Sequence, residues 1–338
     1  MRVLMITSEW PTEKLPYAVP FLVGEVESLR ELGVDVTVFH FRGRKNPAMY
    51  LRSWIRLRME YDLQDFDIVH AQFGQSGLLA LPRIKPLVVT FRGSDLYGIP
   101  KANGRYSGAS LLLQAVSRYV ASRADHVIVV SRGLLDRLPP GIPATVIPCG
   151  VDLSLFRPCC RTVARQQLGL PMGVRLVLFA GDPGNPVKRF WLAREAVAMA
   201  ASRLSAPVRI VMLRGVPHKM VPLYMNACDV LLLTSLHEGS PNVVKEALAC
   251  NLPIVSVDVG DVRDRVRDVD GCVVCEHPSP VVIGNALVSV LSNPRRIRGR
   301  NAILHLERRV VAQNIVRVYL TIANSGLGCV QRGELLDR

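Results

Sequence analysis

DVLLLTSLHEGSPNVVKEALACNLPIVSV, residues 229–257, reads as strand, turn, helix and strand in one unbroken run. The short apolar runs at 229–233 and 254–257 have the length and composition of buried strands. Between them, Ser240 followed by Pro241 marks a helix start. A serine oxygen caps unpaired amides, and proline sets the backbone angle of the first turn without an amide of its own to leave unpaired. The helix is expected from Pro241 to Cys250. Strand, helix and strand in this order build parallel sheets with crossover helices.

The same alternation runs outward in both directions. Residues 2–6, 34–39, 68–71, 87–91, 126–130 and 144–147 read as strands, and Phe21, Leu22, Val26, Leu29 and Leu32 recur at helical spacing before Gly33, a natural C-terminal cap. The polar stretch 152–166, with Pro158, reads as a linker, after which the strand series resumes at 174–180, 208–213 and 272–275, with a helix at 191–201. The chain is therefore expected to be α/β, with two Rossmann-like doubly wound domains at 1–155 and 156–307 and a helix with its tail at 308–338. In that last helix Val310, Ile315, Val318 and Ile322 form a stripe suited to packing back on the first domain. Ligands of open α/β sheets bind outside the carboxyl ends of the strands, so a cleft between two such domains is the expected site.

Composition narrows the partners. The chain has 338 residues, 49% of them hydrophobic and 21% charged, enough for two ordinary cores. Its N-terminal apolar stretch is too short for a signal-peptide core, no run approaches a membrane span, and eight cysteines without a regular framework suit a reducing cytosol. The expected location is cytoplasmic. A formal net charge of +14 favours acidic partners, and without zinc-finger spacing or an aromatic basic ribbon, nucleic acid is not expected among them.

Glu238 lies in the loop before the helix and Glu246 inside it, so the two carboxylates flank a helix N-terminus. Free amides there bind phosphate, and carboxylates bind hydroxyls. A diphosphate between two polyol rings, as in a nucleotide sugar, satisfies the whole segment. The bland alternative is a carboxylate that supports the helix dipole and another that is solvated.

EGSPNVVKE, with seven residues between its glutamates, resembles the motif of glycosyltransferase family 4, retaining enzymes of the GT-B fold. Residues 225–262 look like the donor-binding core of that family. FDIVHAQFG at 66–74, VVTFRGSDL at 88–96, ADHVIVVS at 124–131 and IPCGVD at 147–152 match its landmarks in order. The resemblance implies transfer of a sugar from a UDP- or GDP-sugar to a glycan or lipid-linked acceptor in cell-surface polysaccharide or glycolipid synthesis. No metal and no other cofactor is expected. By resemblance, Glu238 contacts the transferred sugar, Glu246 holds the ribose, and Gly239, Ser240, Pro241, Asn242 and Val243 lie along the sugar and diphosphate. Lys188, in GDPGNPVKR, neutralises the diphosphate, and Arg214 to Val216 border the base. Fixed cations and amides stabilise a leaving group that gains charge.

Departures from the family pattern are specific. Arg92 stands where the family often has histidine, Asp182 stands where an arginine usually partners the lysine, Cys149 replaces an asparagine, and PYAVPF at 16–21 lacks a glycine. Arg189 and Arg92 are candidate replacements for the missing cation, with Arg92 counted among the catalytic residues. Asp95 and Arg92 are candidate acceptor or sugar contacts, and His70 is expected near the acceptor. These departures keep one alternative in play, a non-catalytic scaffold that binds nucleotide sugar or a partner enzyme, and a second is a nucleotide-sugar epimerase on the same fold, which needs no acceptor. Asp268-Val269-Asp270 reads as a surface turn before Gly271 rather than a metal site. Finally, YLRSWIRLRMEY at 50–61 interleaves arginines with apolar residues. Its sharper reading is peripheral docking on an anionic membrane surface through Arg52, Arg56 and Arg58, and its plainer one a solvated helix face.

Overall fold

The computed structural model describes residues 1–43, 46–100 and 105–333. The chain forms two compact units, the first from residues 1–99, 106–150 and the C-terminal helix Arg308–Gly333, the second chiefly from residues 151–307.

In the first unit β1 (Arg2–Thr7), β2 (Asp35–His40), β3 (Ile68–Gln72), β4 (Leu87–Phe91), β5 (His126–Val129) and β6 (Ala144–Val146) form one parallel sheet in the order β2-β1-β3-β4-β5-β6. Side chains alternate across it, as strand geometry requires. Val3 and Met5 enter the core shared with the helices Pro20–Glu31 and Arg308–Gly333. Leu4 and Ile6 enter the opposite core, with Leu57 of the helix Pro47–Glu60 and Val120 of the helix Gly108–Ala121. A sheet covered on both faces explains why its strands are apolar throughout.

The C-terminal helix buries Val311, Ala312, Ile315, Val318, Tyr319 and Ile322, whereas Val310, expected in the stripe, is 38% exposed. Five residues separate 310 from 315, which takes Val310 well off the line of contact on a helix of 3.6 residues per turn. Tyr319, missed by the stripe, is fully buried and its hydroxyl lies 2.6 Å from His70 Nδ1. His70 Nε2 lies 2.7 Å from Thr90 Oγ1. Burial pushes the His70 pKa down to about 4, so the ring is neutral and one nitrogen donates while the other accepts.

The second unit holds β7 (Arg175–Ala180), β8 (Val208–Leu213), β9 (Val230–Leu233), β10 (Ile254–Val257) and β11 (Val273–Cys275), parallel throughout and ordered β11-β10-β9-β7-β8. The chain leaves β7 toward β8 on one side and returns to β9 on the other. The strand order therefore reverses between β7 and β9, the position where open α/β sheets open a crevice. The stretch 152–166 is not a free linker but part of this unit. Phe156 is fully buried, and the buried Arg165 donates to the carbonyls of Ala227, Pro171, Met172 and Val174 as well as to Asp229 at 2.8 Å. Its polar composition came from arginines that serve as internal fasteners. Among the described residues, no helix is long and apolar enough to cross a membrane.

Removing the Tyr319 hydroxyl leaves a buried ring nitrogen without its partner, so Tyr319→Phe should destabilise the protein by about 1–3 kcal/mol in denaturant unfolding. An unchanged midpoint would contradict the role assigned to that contact. The buried imidazole also sets a pH dependence. His70 is depressed to about 4 when folded, and an unperturbed histidine titrates near 6.5, so the unfolded chain takes up the proton first as pH falls. This contribution is fully present above about pH 6.5 and is lost between about 6.5 and 4, to the extent of about 3 kcal/mol. Thermal melts from pH 7 to 4.5 should show a steeper loss for the native chain than for His70→Gln; parallel curves would refute it.

Candidate active site

The loops that follow β7, β8, β9 and β10 carry the residues expected to hold a donor. After β7, Gly181 adopts φ +152°, and a Cβ there would come within 2.9 Å of Lys188 Cγ. Glycine thus lets the lysine stem cross the strand end. The loop turns back through Asn185, whose side chain accepts from the Val187 amide at 3.0 Å. It is then laced to the loop after β9. Leu236 N donates to Val187 O at 2.7 Å and Thr234 Oγ1 to Lys188 O at 2.8 Å, while the Arg189 guanidinium donates to Thr234 O at 2.6 Å and Ser235 O at 2.9 Å. Arg189, read as a spare cation, has its charge turned onto backbone carbonyls.

This lacing brings Lys188 Nζ to 2.6 Å from Glu238 Oε1, directly at the reversal between β7 and β9. Both side chains keep partial access to solvent. Ser240, expected to cap the following helix, instead donates to Asp261 Oδ2 at 2.8 Å, where Arg265 also donates at 2.9 Å. A carboxylate is the stronger acceptor, and it draws the hydroxyl away from the helix. The helix runs Asn242–Ala249 with Pro241 at its N-cap and no side chain capping it. The Oδ1 atom of Asn242 at this start is buried and has no hydrogen-bond partner among the described residues. Val243 packs against the core of the unit.

One turn further, Glu246 Oε1 lies 3.0 Å from His218 Nε2, and the His218 ring lies against Phe156 with centroids 5.2 Å apart. Arg214, at the end of β8, is exposed and stands 3.8 Å from Asp182 across the β7 end. Val216 packs partly into the core. Lys188, Glu238, the helix start and Glu246 are therefore assembled along adjoining loops of one unit. Sequence reading missed two contributors. His218 follows a strand with no motif to mark it, but VDVG before Asp261 did carry a signal: Gly260 sits at φ +59°, and a Cβ there would lie 2.7 Å from Gly239 O.

In the first unit, Arg92 follows β4 and is enclosed. Its guanidinium donates to Glu25 Oε2 at 2.9 Å, to Gln72 Oε1 at 2.6 Å and to Cys149 Sγ at 2.6 Å, and stacks over Phe21 at 4.8 Å. Burial opposes its charge, and Cys149 and Glu25 more than restore it, so its pKa is raised. The cysteine and arginine that depart from the family pattern are thus contact partners. Asp95 is buried and accepts the amides of Arg92 at 3.1 Å, Gly93 at 2.9 Å and Leu96 at 3.1 Å, organising its own turn. Burial raises its pKa, against the pull of the Gly93 and Arg92 amides. His70, placed near the acceptor in sequence, lies inside the sheet with both nitrogens engaged.

Comparison with known proteins bears on the family and the fold. The model of Glycosyltransferase Family 4 matches residues 2–155 and that of Glycosyl transferases group 1 matches residues 165–293. TuaC of Bacillus subtilis strain 168, which its name assigns to teichuronic acid biosynthesis as a glycosyltransferase, is 28% identical over 327 residues, covering 78% of this chain and 82% of its own. The sucrose-phosphate synthase of Thermosynechococcus elongatus superposes with a TM-score of 0.78 at 17% identity, over 96% of this chain and 99% of its own. Anabaena HepE, solved in complex with UDP, gives 0.67 at 17% identity, over 95% and 100%. With both halves matched in order and two Rossmann-like units in the structure, the chain belongs to glycosyltransferase family 4 and has its GT-B fold.

Proposed function

We propose that this glycosyltransferase takes a UDP- or GDP-sugar as donor and passes a hexose, with retention and without a metal, to a glycan or lipid-linked acceptor of cell-surface polysaccharide or glycolipid synthesis. The observation that carries the reading is the Lys188–Glu238 contact at 2.6 Å, set at the strand-order reversal beside a helix start that no side chain caps. Uncapped amides and the positive end of the helix favour a diphosphate, and Lys188 adds a full charge. Glu246, on the first turns of the same helix, accepts ribose hydroxyls, and His218 holds its carboxylate in line. Glu238, oriented by Lys188, accepts hydroxyls of the transferred sugar. As the donor bond breaks, charge accumulates on the diphosphate, and an already oriented ammonium and amides lower the barrier without rearranging. The leaving phosphate then takes the acceptor proton on the face from which it departs, which keeps the anomeric configuration. The UDP in the HepE structure and the teichuronic acid assignment of TuaC support the donor and acceptor classes.

A thermal-shift panel of UDP-, GDP- and ADP-sugars should raise the melting temperature with one nucleotide, since a ligand at about 100 times its Kd adds roughly 2.7 kcal/mol to the native state. Lys188→Ala and Glu246→Ala should each abolish the shift; a shift that survives both would move the donor elsewhere. With the donor found, the anomeric proton coupling of the product should match that of the donor sugar, and turnover should be unchanged by a chelator. Gly260→Ala forces a Cβ against the Gly239 carbonyl in a left-handed conformation, a strain of about 1–3 kcal/mol. It should weaken nucleotide binding, and donor affinity equal to the native chain's would show that this loop does not shape the site.

A further inference from the structure

The helix Pro47–Glu60 is apolar on two sides. Asn46 caps it, accepting from the Ala48 amide at 3.0 Å. Its inner side buries Leu57 and packs Tyr50 and Trp54 on the core of the first unit. Its outer side carries Leu51, Ile55 and Met59, which are 60%, 45% and 81% exposed. Spacing of four residues aligns these three along one line of the helix surface. A second helix on the same face of the sheet, Gly108–Ala121, exposes Leu111, Leu112 and Tyr119 at 56%, 62% and 49%. Both helices pack on the same segment, Gly74–Ala80. Scattered exposed apolar residues are ordinary, but an aligned line on one helix with three further exposed apolar residues on its neighbour marks a surface made to be covered.

Charge decides what covers it. Around the helix Pro47–Glu60, Arg52 and Arg56 border the apolar line on one side and Arg58 on the other, against a single acidic residue, Glu60. The Arg58 guanidinium stacks 3.9 Å from the Trp54 ring and donates to Leu79 O at 3.0 Å and Leu81 O at 2.9 Å. That of Arg56 stands 4.4 Å over Phe39 and ion-pairs with Glu60 at 3.4 Å. These contacts fix the cations at the borders while the apolar line projects between them. We propose that this face of the first unit docks on an anionic lipid bilayer, with Leu51, Ile55 and Met59 entering the interface and the arginines at the depth of the lipid phosphates. An apolar line between cationic borders is the pattern of a helix lying in the plane of such an interface. A second copy of the chain fits poorly, because a two-fold contact through this helix would set arginine borders against each other. The apolar line, not the arginines expected from the sequence, is thus the part of the helix to test, since Arg56 and Arg58 also hold the fold together.

The test is co-sedimentation of the full chain with extruded vesicles of phosphatidylcholine alone and of phosphatidylcholine with about one-third phosphatidylglycerol. The chain should pellet with the anionic vesicles and stay in solution with the neutral ones. The triple variant Leu51→Gln, Ile55→Gln, Met59→Gln should bind at least about tenfold more weakly, because buried methylenes supply the interfacial affinity. All three positions are exposed, so its melting temperature should match that of the native chain. Should the triple variant fail to fold, Leu111→Gln with Leu112→Gln on the neighbouring helix should weaken binding in its place. Equal pelleting with both lipids, undiminished binding by the folded variants, or no binding at all would overturn the proposal. So would a dimer in light scattering that the triple variant dissolves, which would give the surface to a second copy.

Discussion

Two parallel strands whose connections leave in opposite directions have no crossover helix over their C-terminal ends. Between β7 and β9 this constraint places two loops side by side with nothing from the sheet above them. The remaining features of the second unit make that opening rigid. Carbonyls of the β9 loop accept from Arg189, a β7-loop carbonyl accepts from Thr234, and Asp261 draws Ser240 toward the loop after β10. Lys188 and Glu238 meet because three loops are fastened to one another, and two glycines, Gly181 and Gly260, allow the fastening by leaving room where a Cβ would collide.

The strands, their order of types and the two glutamates were legible in the sequence because each depends on local pattern. Apolar runs of strand length need only burial on both faces, and a carboxylate on either side of a helix start needs only the turn. What stayed hidden depends on partners distant in the chain. Ser240 has the local signature of a cap, and only Asp261, brought alongside by the fold, redirects its hydroxyl. Arg189 reads as a free cation until the Thr234 and Ser235 carbonyls are beside it. His218 lies 28 positions from Glu246, with no spacing rule to join them. The polar stretch around Arg165 looked like a linker for the same reason, since hydrogen bonding to carbonyls leaves no mark on composition.

In the first unit, the departures from the family pattern explain one another. Arginine in place of histidine introduces a permanent charge into a buried position, which is tolerated only with compensation. Glu25, Gln72 and Cys149 supply it, and the ring of Phe21 covers the guanidinium face. The change at 92 and the change at 149 are thus one substitution in physical terms. Asp95, holding the amides of the same turn, fixes the backbone from which Arg92 projects.

The contact between His70 and Tyr319 spans 249 positions. A ribosome that has just released β6 has made the whole six-stranded sheet of the first unit but not the helix that completes one of its faces. At ordinary rates of synthesis of roughly 5–20 residues per second, that helix follows on the order of 10–30 s later. For that interval Val3, Met5 and Val88 lie on a face whose final cover is missing, and His70 faces water or a substitute contact. The second unit, whose strands lie within one continuous stretch of chain, is under no such delay. The unit begun first is therefore finished last, and the pace of translation sets how long that face waits for its cover.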